Sequence, residues 1–259
     1  MERKAKVYLV GAGPGDPELL TRKAFRLIAE ADVIIHDRLI DPRVLAVAAP
    51  HAKLFDAGKK QGQQEEIQQR IYDLFLEFGA SVDTIVRLKS GDPMVFGRCG
   101  EEVAFLRSHG FQAEIVPGVS SAFAAPASTG IPLTMRGVAA SFAIVAGHRQ
   151  SLFTQDWSSF RNVDTLVVLM GVEFRDIIAS NLIASGKPRE LPVAFIESAA
   201  TESERLVVST LAQVAARQVE VSAPAVWVIG EVVRLRPDSL PTAVGTVLEE
   251  VPAAEAARS

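Results

Sequence analysis

Short β-branched strands alternate with helical stretches along this chain, and that alternation constrains its fold more than any other feature. Val7-Tyr8-Leu9-Val10 reads as a buried strand. The tight loop Gly11 to Asp16 follows, then an amphipathic helix expected over Pro17 to Glu30, with Leu20, Ala24, Leu27 and Ile28 at helical spacing and Pro17 suited to the first turn. Val33-Ile34-Ile35, Lys53-Leu54-Phe55, Thr84 to Leu88 and Ala113 to Val116 read as further strands, with helices over Gln63 to Phe78 and Glu101 to Ser108. Strands spaced by helices predict parallel βαβ units in an α/β fold.

The pattern then restarts. Ser141 to Val145, Thr165 to Met170, Val193 to Ile196, Leu206 to Ser209 and Ala225 to Ile229 read as the strands of a second α/β lobe. Pro117 to Pro132 is rich in Gly, Pro, Ser and Ala and reads as the hinge. The expected division is an N-terminal lobe over 1–117 and a C-terminal lobe over 118–240. A tail over 241–259 is expected to fray, in a Pro- and Ala-rich stretch that begins at Pro237.

Composition narrows the function classes. A chain of 259 residues with 48% apolar and 22% charged residues can bury a core without disulfides or a structural metal. The net charge of −4 argues against a protein that coats nucleic acid. One cysteine, Cys99, excludes a disulfide framework and a Cys-rich zinc site, and the four histidines lack metal-ligand spacing, so no metal is expected. No apolar run is long enough to span a membrane, and the charged N-terminus precedes a run too short for a signal-peptide core. The expected compartment is the cytoplasm.

Gly11-Ala12-Gly13-Pro14-Gly15-Asp16 looks at first like a dinucleotide fingerprint, but the last glycine falls at Asp16 and Pro14 removes an amide that a pyrophosphate would use. The loop suits close backbone approach to some other ligand, or a tight turn with none. Lys89 to Glu102 follows a strand, at the carboxyl edge where α/β sheets bind ligands. Within it Arg98 and Glu101 lie three apart, placed either as a working pair or as a surface ion pair. From 115 to 155 there is no Asp or Glu, but there are Arg136, His148 and Arg149. That stretch suits a polyanionic ligand or a charge-poor interface. Cys99 has no surrounding pattern for a covalent route and reads as a packing residue.

Several of these segments, in order, resemble one family. Val10 to Thr21 is similar to the opening signature of the tetrapyrrole (corrin/porphyrin) methylases. Gly91 to Arg98 with Gly100-Glu101-Glu102, Val116 to Ala122 and Gly130 to Arg136 resemble the branch that methylates uroporphyrinogen III, and Leu166 to Gly171 resembles its second lobe. The resemblance covers about residues 5–236. It implies the class III methyltransferase fold, two α/β lobes with S-adenosyl-methionine in the interdomain cleft, and a homodimer. By position it implies cofactor contacts at Pro14, Ser90, Gly91, Asp92, Val95, Ser120, Ser121, Met170, Ala199 and Ala225. Asp37, Lys59, Arg98 and Glu101 match catalytic positions. Arg98, Glu101, Arg136 and Arg149 would handle the substrate. Ser90, Cys99, His36 and the Gly58 to Gln63 segment depart from the family's usual residues.

The implied reaction is methylation of uroporphyrinogen III at C2 and C7, giving precorrin-2 by way of precorrin-1, for sirohaem, cobalamin or haem d1, with S-adenosyl-homocysteine as the other product. The sulfonium methyl is already electrophilic, so positioning and water exclusion are the protein's share of the work. Arginine forks suit a macrocycle with eight carboxylates. Proton loss neutralises the product, with Glu101, Asp37 or a group near Lys59 available to assist. Many sirohaem enzymes fuse such a domain to a dehydrogenase-ferrochelatase module, for which this sequence has no residues, so those steps are expected to belong to other proteins. The alternatives are another precorrin methyltransferase, a nicotinamide-dependent oxidoreductase, and a non-catalytic tetrapyrrole carrier.

Overall fold

Lys6–Gly11 forms β1, the first strand of the first sheet in this computed structural model, which describes residues 4–58 and 64–237. In chain order there follow α1 (Arg22–Glu30), β2 (Val33–His36), α2 (Pro42–Leu45), β3 (Lys53–Asp56), α3 (Gln64–Phe78), β4 (Thr84–Lys89), α4 (Cys99–Ser108) and β5 (Gln112–Val116). The strands lie in the order β3-β2-β4-β1-β5, and every pairing is parallel, as the βαβ pattern predicts.

Alternation along the strands gives the sheet two apolar faces. Val7, Leu9, Val33, Ile35 and Ile85 pack on one side with Ile71, Leu74 and Phe75 of α3 and Val103 and Leu106 of α4. Val10, Ile34, Val86 and Leu88 pack on the other with Ala24, Leu27 and Ile28 of α1. Burial on both faces explains the unbroken apolar runs Val7 to Val10 and Val33 to Ile35, while β4 carries a buried charge at Arg87.

The helix expected over Pro17 to Glu30 is two elements. Asp16 caps a 3-10 turn, Pro17–Leu19, by accepting from the Glu18 amide at 2.9 Å. Leu20 is extended, and the Thr21 hydroxyl then caps α1 by accepting from the Ala24 amide at 3.1 Å. A second capping residue three positions before an amide restarts the helix.

The second half contains α5 (Ser121–Ser128), β6 (Phe142–Ala146), α6 (Arg149–Thr154), β7 (Thr165–Leu169), α7 (Arg175–Ala184), β8 (Pro192–Glu197), β9 (Arg205–Thr210), α8 (Leu211–Ala215) and β10 (Ala225–Ile229). Its sheet has the order β6-β7-β10-β8-β9. Only β6–β7 is parallel; β7–β10, β10–β8 and β8–β9 are antiparallel. The expectation of repeated parallel units is therefore corrected for this lobe. β8 and β9 are joined by a short connection with no helix, so they pair as neighbours running in opposite directions. Trp227, Phe195, Leu166, Val168 and Val193 form its core with Ile178 and Leu182 of α7.

The chain divides into two compact units. The first comprises residues up to 125 together with 199–202; the second comprises 126–198 and the described residues from 203 onward. The proposed hinge at Pro117 to Pro132 contains helix α5, and the change from the first unit to the second falls between Ala125 and Pro126. The tail over 241–259 lies outside the described residues.

Candidate functional site

The loops that leave β1, β4 and β5 meet backbone to backbone at the carboxyl edge of the first sheet. Gly13 and Gly91 bond each other reciprocally: the Gly13 amide donates to the Gly91 carbonyl at 3.2 Å, and the Gly91 amide to the Gly13 carbonyl at 2.8 Å. A Cβ at Gly11 would lie 2.6 Å from the Gly118 Cα and 2.7 Å from the Gly91 carbonyl oxygen. No side chain fits at this three-loop junction. Gly91 also has φ +68°, a backbone that side chains resist.

Asp92 ties the junction together. One carboxylate oxygen accepts from the Gly118 amide at 3.0 Å, and the other accepts from the Met94 amide at 2.8 Å. Gly91 lies against Ser120 and Ser121, and the buried Ser120 hydroxyl accepts from the Ala122 amide at 3.3 Å. On the other flank a Cβ at Gly15 would meet the Thr201 methyl at 2.8 Å and the Ala200 carbonyl oxygen at 3.2 Å. The segment 199–202 therefore lies against the Pro14-Gly15 turn. Of the ten expected cofactor residues, Pro14, Ser90, Gly91, Asp92, Val95, Ser120, Ser121 and Ala199 all belong to this first unit.

The chemistry of this edge suits some ligands and not others. The Gly13 and Gly91 amides are used on each other, Pro14 has none, and Asp16 and Asp92 place carboxylates in the same loops. A diphosphate would meet anions and too few donors there. A ligand carrying a positive sulfur and an amino group would meet carbonyl oxygens and carboxylates. The edge therefore fits a sulfonium compound, and the nicotinamide reading loses its structural basis.

At the end of β4 the chain buries an ionic cluster that the motifs did not reveal. Arg87 donates through Nε to Glu102 Oε1 at 3.2 Å and through Nη1 to the carbonyls of Ile35 at 3.3 Å and Leu88 at 3.1 Å. Its Nη2 pairs with Asp37, and Lys89 Nζ donates to Glu102 Oε1 at 2.9 Å. The Asp37 side chain remains one-third exposed, while those of Arg87, Lys89 and Glu102 are buried. Burial is the largest influence on Asp37 and pushes its carboxyl up. Arg87 and Lys89 outweigh it and hold the group below the usual carboxylate range. The missed signal was in the pattern. Arg87 and Lys89 sit at alternate positions facing α3 and α4, and Glu102 falls on the buried face that Cys99, Val103 and Leu106 define.

Arg98 and Glu101 form the expected pair, as a fork. Arg98 Nε donates to Oε1 at 3.0 Å and Nη2 donates to Oε2 at 2.6 Å; Nη2 also reaches Glu65 at 3.3 Å. The Arg98 hydrogen bond holds the Glu101 carboxyl below its usual range. Arg98 and Phe96 both have φ 54°, a left-handed backbone for non-glycine residues that commonly marks functional loops. Cys99 is buried, and burial followed by Glu102 pushes its thiol up, as a packing residue requires.

Lys59 lies outside the described residues. On the second unit, Met170 follows β7 with φ 57° and is half exposed. The antiparallel pairing of Trp227 with Val168 brings Ala225 to the same strand end as Met170. Arg149 opens α6 directly after β6, the parallel neighbour of β7. Arg136 is exposed in a tight loop that Met135 and Ala139 close by bonds of 3.0 and 2.8 Å. Among the described residues no group of three His, Cys, Asp or Glu side chains could hold a metal ion, and no helix is long and apolar enough to cross a membrane.

Comparison with known proteins adds relatives to this geometry. Residues 6–215 match the family model for tetrapyrrole (corrin/porphyrin) methylases. The chain is 41% identical over 235 residues to the uroporphyrinogen-III C-methyltransferase of Methanocaldococcus jannaschii, spanning 89% of this chain and 97% of that one. It is also 41% identical to the siroheme synthase of Azotobacter vinelandii, again over 89% of this chain but 51% of the relative, so it spans about half the length of that protein. The crystal structure of uroporphyrin-III C-methyltransferase from Thermus thermophilus, complexed with S-adenosyl-homocysteine, superposes with a TM-score of 0.79 at 49% identity. It covers 89% of this chain and 94% of the other.

Proposed function

The chain belongs to the tetrapyrrole (corrin/porphyrin) methylases, and on that footing we propose that it methylates uroporphyrinogen III at C2 and C7 with S-adenosyl-methionine, giving precorrin-2 by way of precorrin-1. The observation that carries this reading is the three-loop glycine junction, which suits a sulfonium donor in a chain 49% identical to an enzyme crystallised with S-adenosyl-homocysteine. Precorrin-2 then supplies sirohaem, cobalamin or haem d1.

When bound, S-adenosyl-methionine supplies an electrophilic methyl group. The chain's own residues bind and orient. Pro14, Ser90, Gly91, Asp92, Val95, Ser120, Ser121 and Ala199 are the first unit's candidates for holding the donor; Met170 and Ala225 are the second unit's, on resemblance. Rigid backbone at the junction fixes where a ligand rests, which is worth more than added contacts when alignment sets the rate. Arg98, Arg136 and Arg149 are candidates for gripping the substrate's carboxylates. Glu101 holds the Arg98 guanidinium in one orientation until a substrate carboxylate takes its place. Asp37, and on resemblance Lys59, are the remaining catalytic candidates. The same reading carries a homodimer in the cytoplasm; sedimentation at the mass of one chain would contradict the dimer.

The direct test is purified protein with uroporphyrinogen III and S-adenosyl-methionine. A methylated product that fluoresces red after oxidation is expected, and its absence would exclude the reaction. Arg136→Ala is expected to raise KM for the macrocycle roughly tenfold or more while leaving S-adenosyl-homocysteine affinity within about twofold. Equal losses by calorimetry would remove Arg136 from substrate binding.

A further inference from the structure

Arg87 is held along its whole guanidinium edge. Its three nitrogens make four hydrogen bonds to two carboxylates and two carbonyls, so the guanidinium plane has no freedom to turn. Of its two carboxylate partners, Glu102 is fully buried and Asp37 is one-third exposed. The cluster therefore has one outlet, the Asp37 carboxylate at the end of β2.

Glu102 is unevenly used. Its Oε1 accepts from Arg87, from Lys89 and from Gln68 Nε2 at 3.5 Å, while the buried Oε2 has no hydrogen-bond partner among the described residues. Two cations and two anions balance in charge, but one acceptor is left unmatched. A buried ion pair is a poor device for stability alone, because its desolvation roughly cancels its attraction and an apolar replacement would serve as well. What it does supply is a fixed charge at a fixed place.

We propose that Arg87 is a positioning residue that acts through Asp37: seated by Glu102, it holds the Asp37 carboxylate as a standing anion for N–H donors of the macrocycle, and not as acceptor of the proton released on methylation. This rests on the reading of the chain as a uroporphyrinogen methyltransferase. The porphyrinogen offers pyrrole N–H groups, and an oriented carboxylate is their natural acceptor. Among the described residues, the charged groups around Asp37 are Arg87 and Lys89 from β4, Glu102 from α4 behind Arg87, and His36 and Arg38 beside it in sequence. The neutral contacts are the Ser90 amide, 3.4 Å from Asp37, and Gln68 of α3 behind Glu102. The cations keep this carboxyl below its ordinary value, which suits an acceptor of hydrogen bonds better than a base.

The test uses the full chain. In the unmodified protein the Asp37 carboxyl resonance is expected to titrate below the ordinary value of 3.8, and titration at or above that value overturns the proposal, whatever the variants do. Arg87→Lys keeps the charge and loses the fork. It is expected to lower kcat/KM by roughly tenfold or more, move the acid limb of the profile up by about one pH unit, and leave S-adenosyl-homocysteine affinity within about twofold. Asp37→Asn is expected to lose at least as much, and the double variant no more than Asp37→Asn alone, because the two residues act as one unit. Losses that multiply overturn the proposal. If Arg87→Lys does not fold, Glu102→Gln decides. Removing the carboxylate that seats Arg87 is expected to lower kcat/KM by about threefold or more while leaving S-adenosyl-homocysteine affinity within about twofold, whereas a merely structural cluster would lower the melting temperature and leave kcat/KM of the folded protein unchanged. Should the wild-type protein fail to methylate uroporphyrinogen III, the functional reading falls, while the Asp37 titration still judges the coupling.

Discussion

At the scale of single residues, atoms that are absent matter as much as those present. A methyl group at position 118 would lie 2.7 Å from the Gly11 Cα, a separation real Cβ atoms do not adopt. Gly118→Ala is therefore expected to destabilise the protein by about 2–3 kcal/mol in urea unfolding and to weaken S-adenosyl-homocysteine binding, since the strain falls on the loops themselves. Glu114 makes a different kind of prediction. It pairs with Lys23 and, at 2.7 Å, with Lys6, and these partners pull its carboxyl down to about 2. A depressed folded pKa stabilises above the unfolded value of 4.5, and that stability is lost as pH falls towards 2. The urea midpoints of wild type and Glu114→Gln should differ slightly at pH 6, because the pair is exposed, and converge near pH 2. Divergence at low pH would show that the pairing is not the cause. The glycines and the Arg98–Glu101 pair were legible in the sequence because their spacing is local. The Asp37–Arg87–Glu102 cluster was not, since its members are brought together by strand order and by a helix crossing the sheet.

At the scale of elements, the strands were legible to within a residue or two because apolar β-branched runs have few alternatives. Their directions were legible only where helices intervene. In the first sheet every strand pair is parallel; in the second, β8 turns back into β9 without a helix and the sheet becomes mixed. Helix starts were less legible: Pro17 signalled one, for the 3-10 turn, and the Thr21 cap that starts α1 went unread inside the same run. Thr21→Ala is accordingly expected to cost about 1 kcal/mol, read as a fall in urea midpoint with unchanged slope. A loss under roughly 0.3 kcal/mol would mean that the 3-10 turn and α1 behave as one element. Departures from ordinary backbone mark the candidate loops as well. Phe96, Arg98, Met170, Ser198 and Ala200 all have positive φ, and each lies in or beside a segment singled out for the cofactor or the substrate. Strain of that kind persists only where surrounding contacts over-determine it.

At the scale of the whole molecule, binding and stability are linked. A ligand that binds the folded chain and not the unfolded one stabilises it by about 2.7 kcal/mol at a hundred times its dissociation constant. S-adenosyl-homocysteine at such a concentration is expected to raise the melting temperature by several degrees, and NADH at the same concentration to leave it unchanged. The reverse pattern would sink the methyltransferase reading. The segment 199–202 has its own consequence at this scale. It belongs to the first unit, yet it is encoded roughly seventy residues after the rest of that unit ends at Ala125. A ribosome making this protein therefore releases the first sheet with the wall beside Pro14 and Gly15 still missing, and the nascent chain must grow by roughly seventy further residues before that wall is supplied.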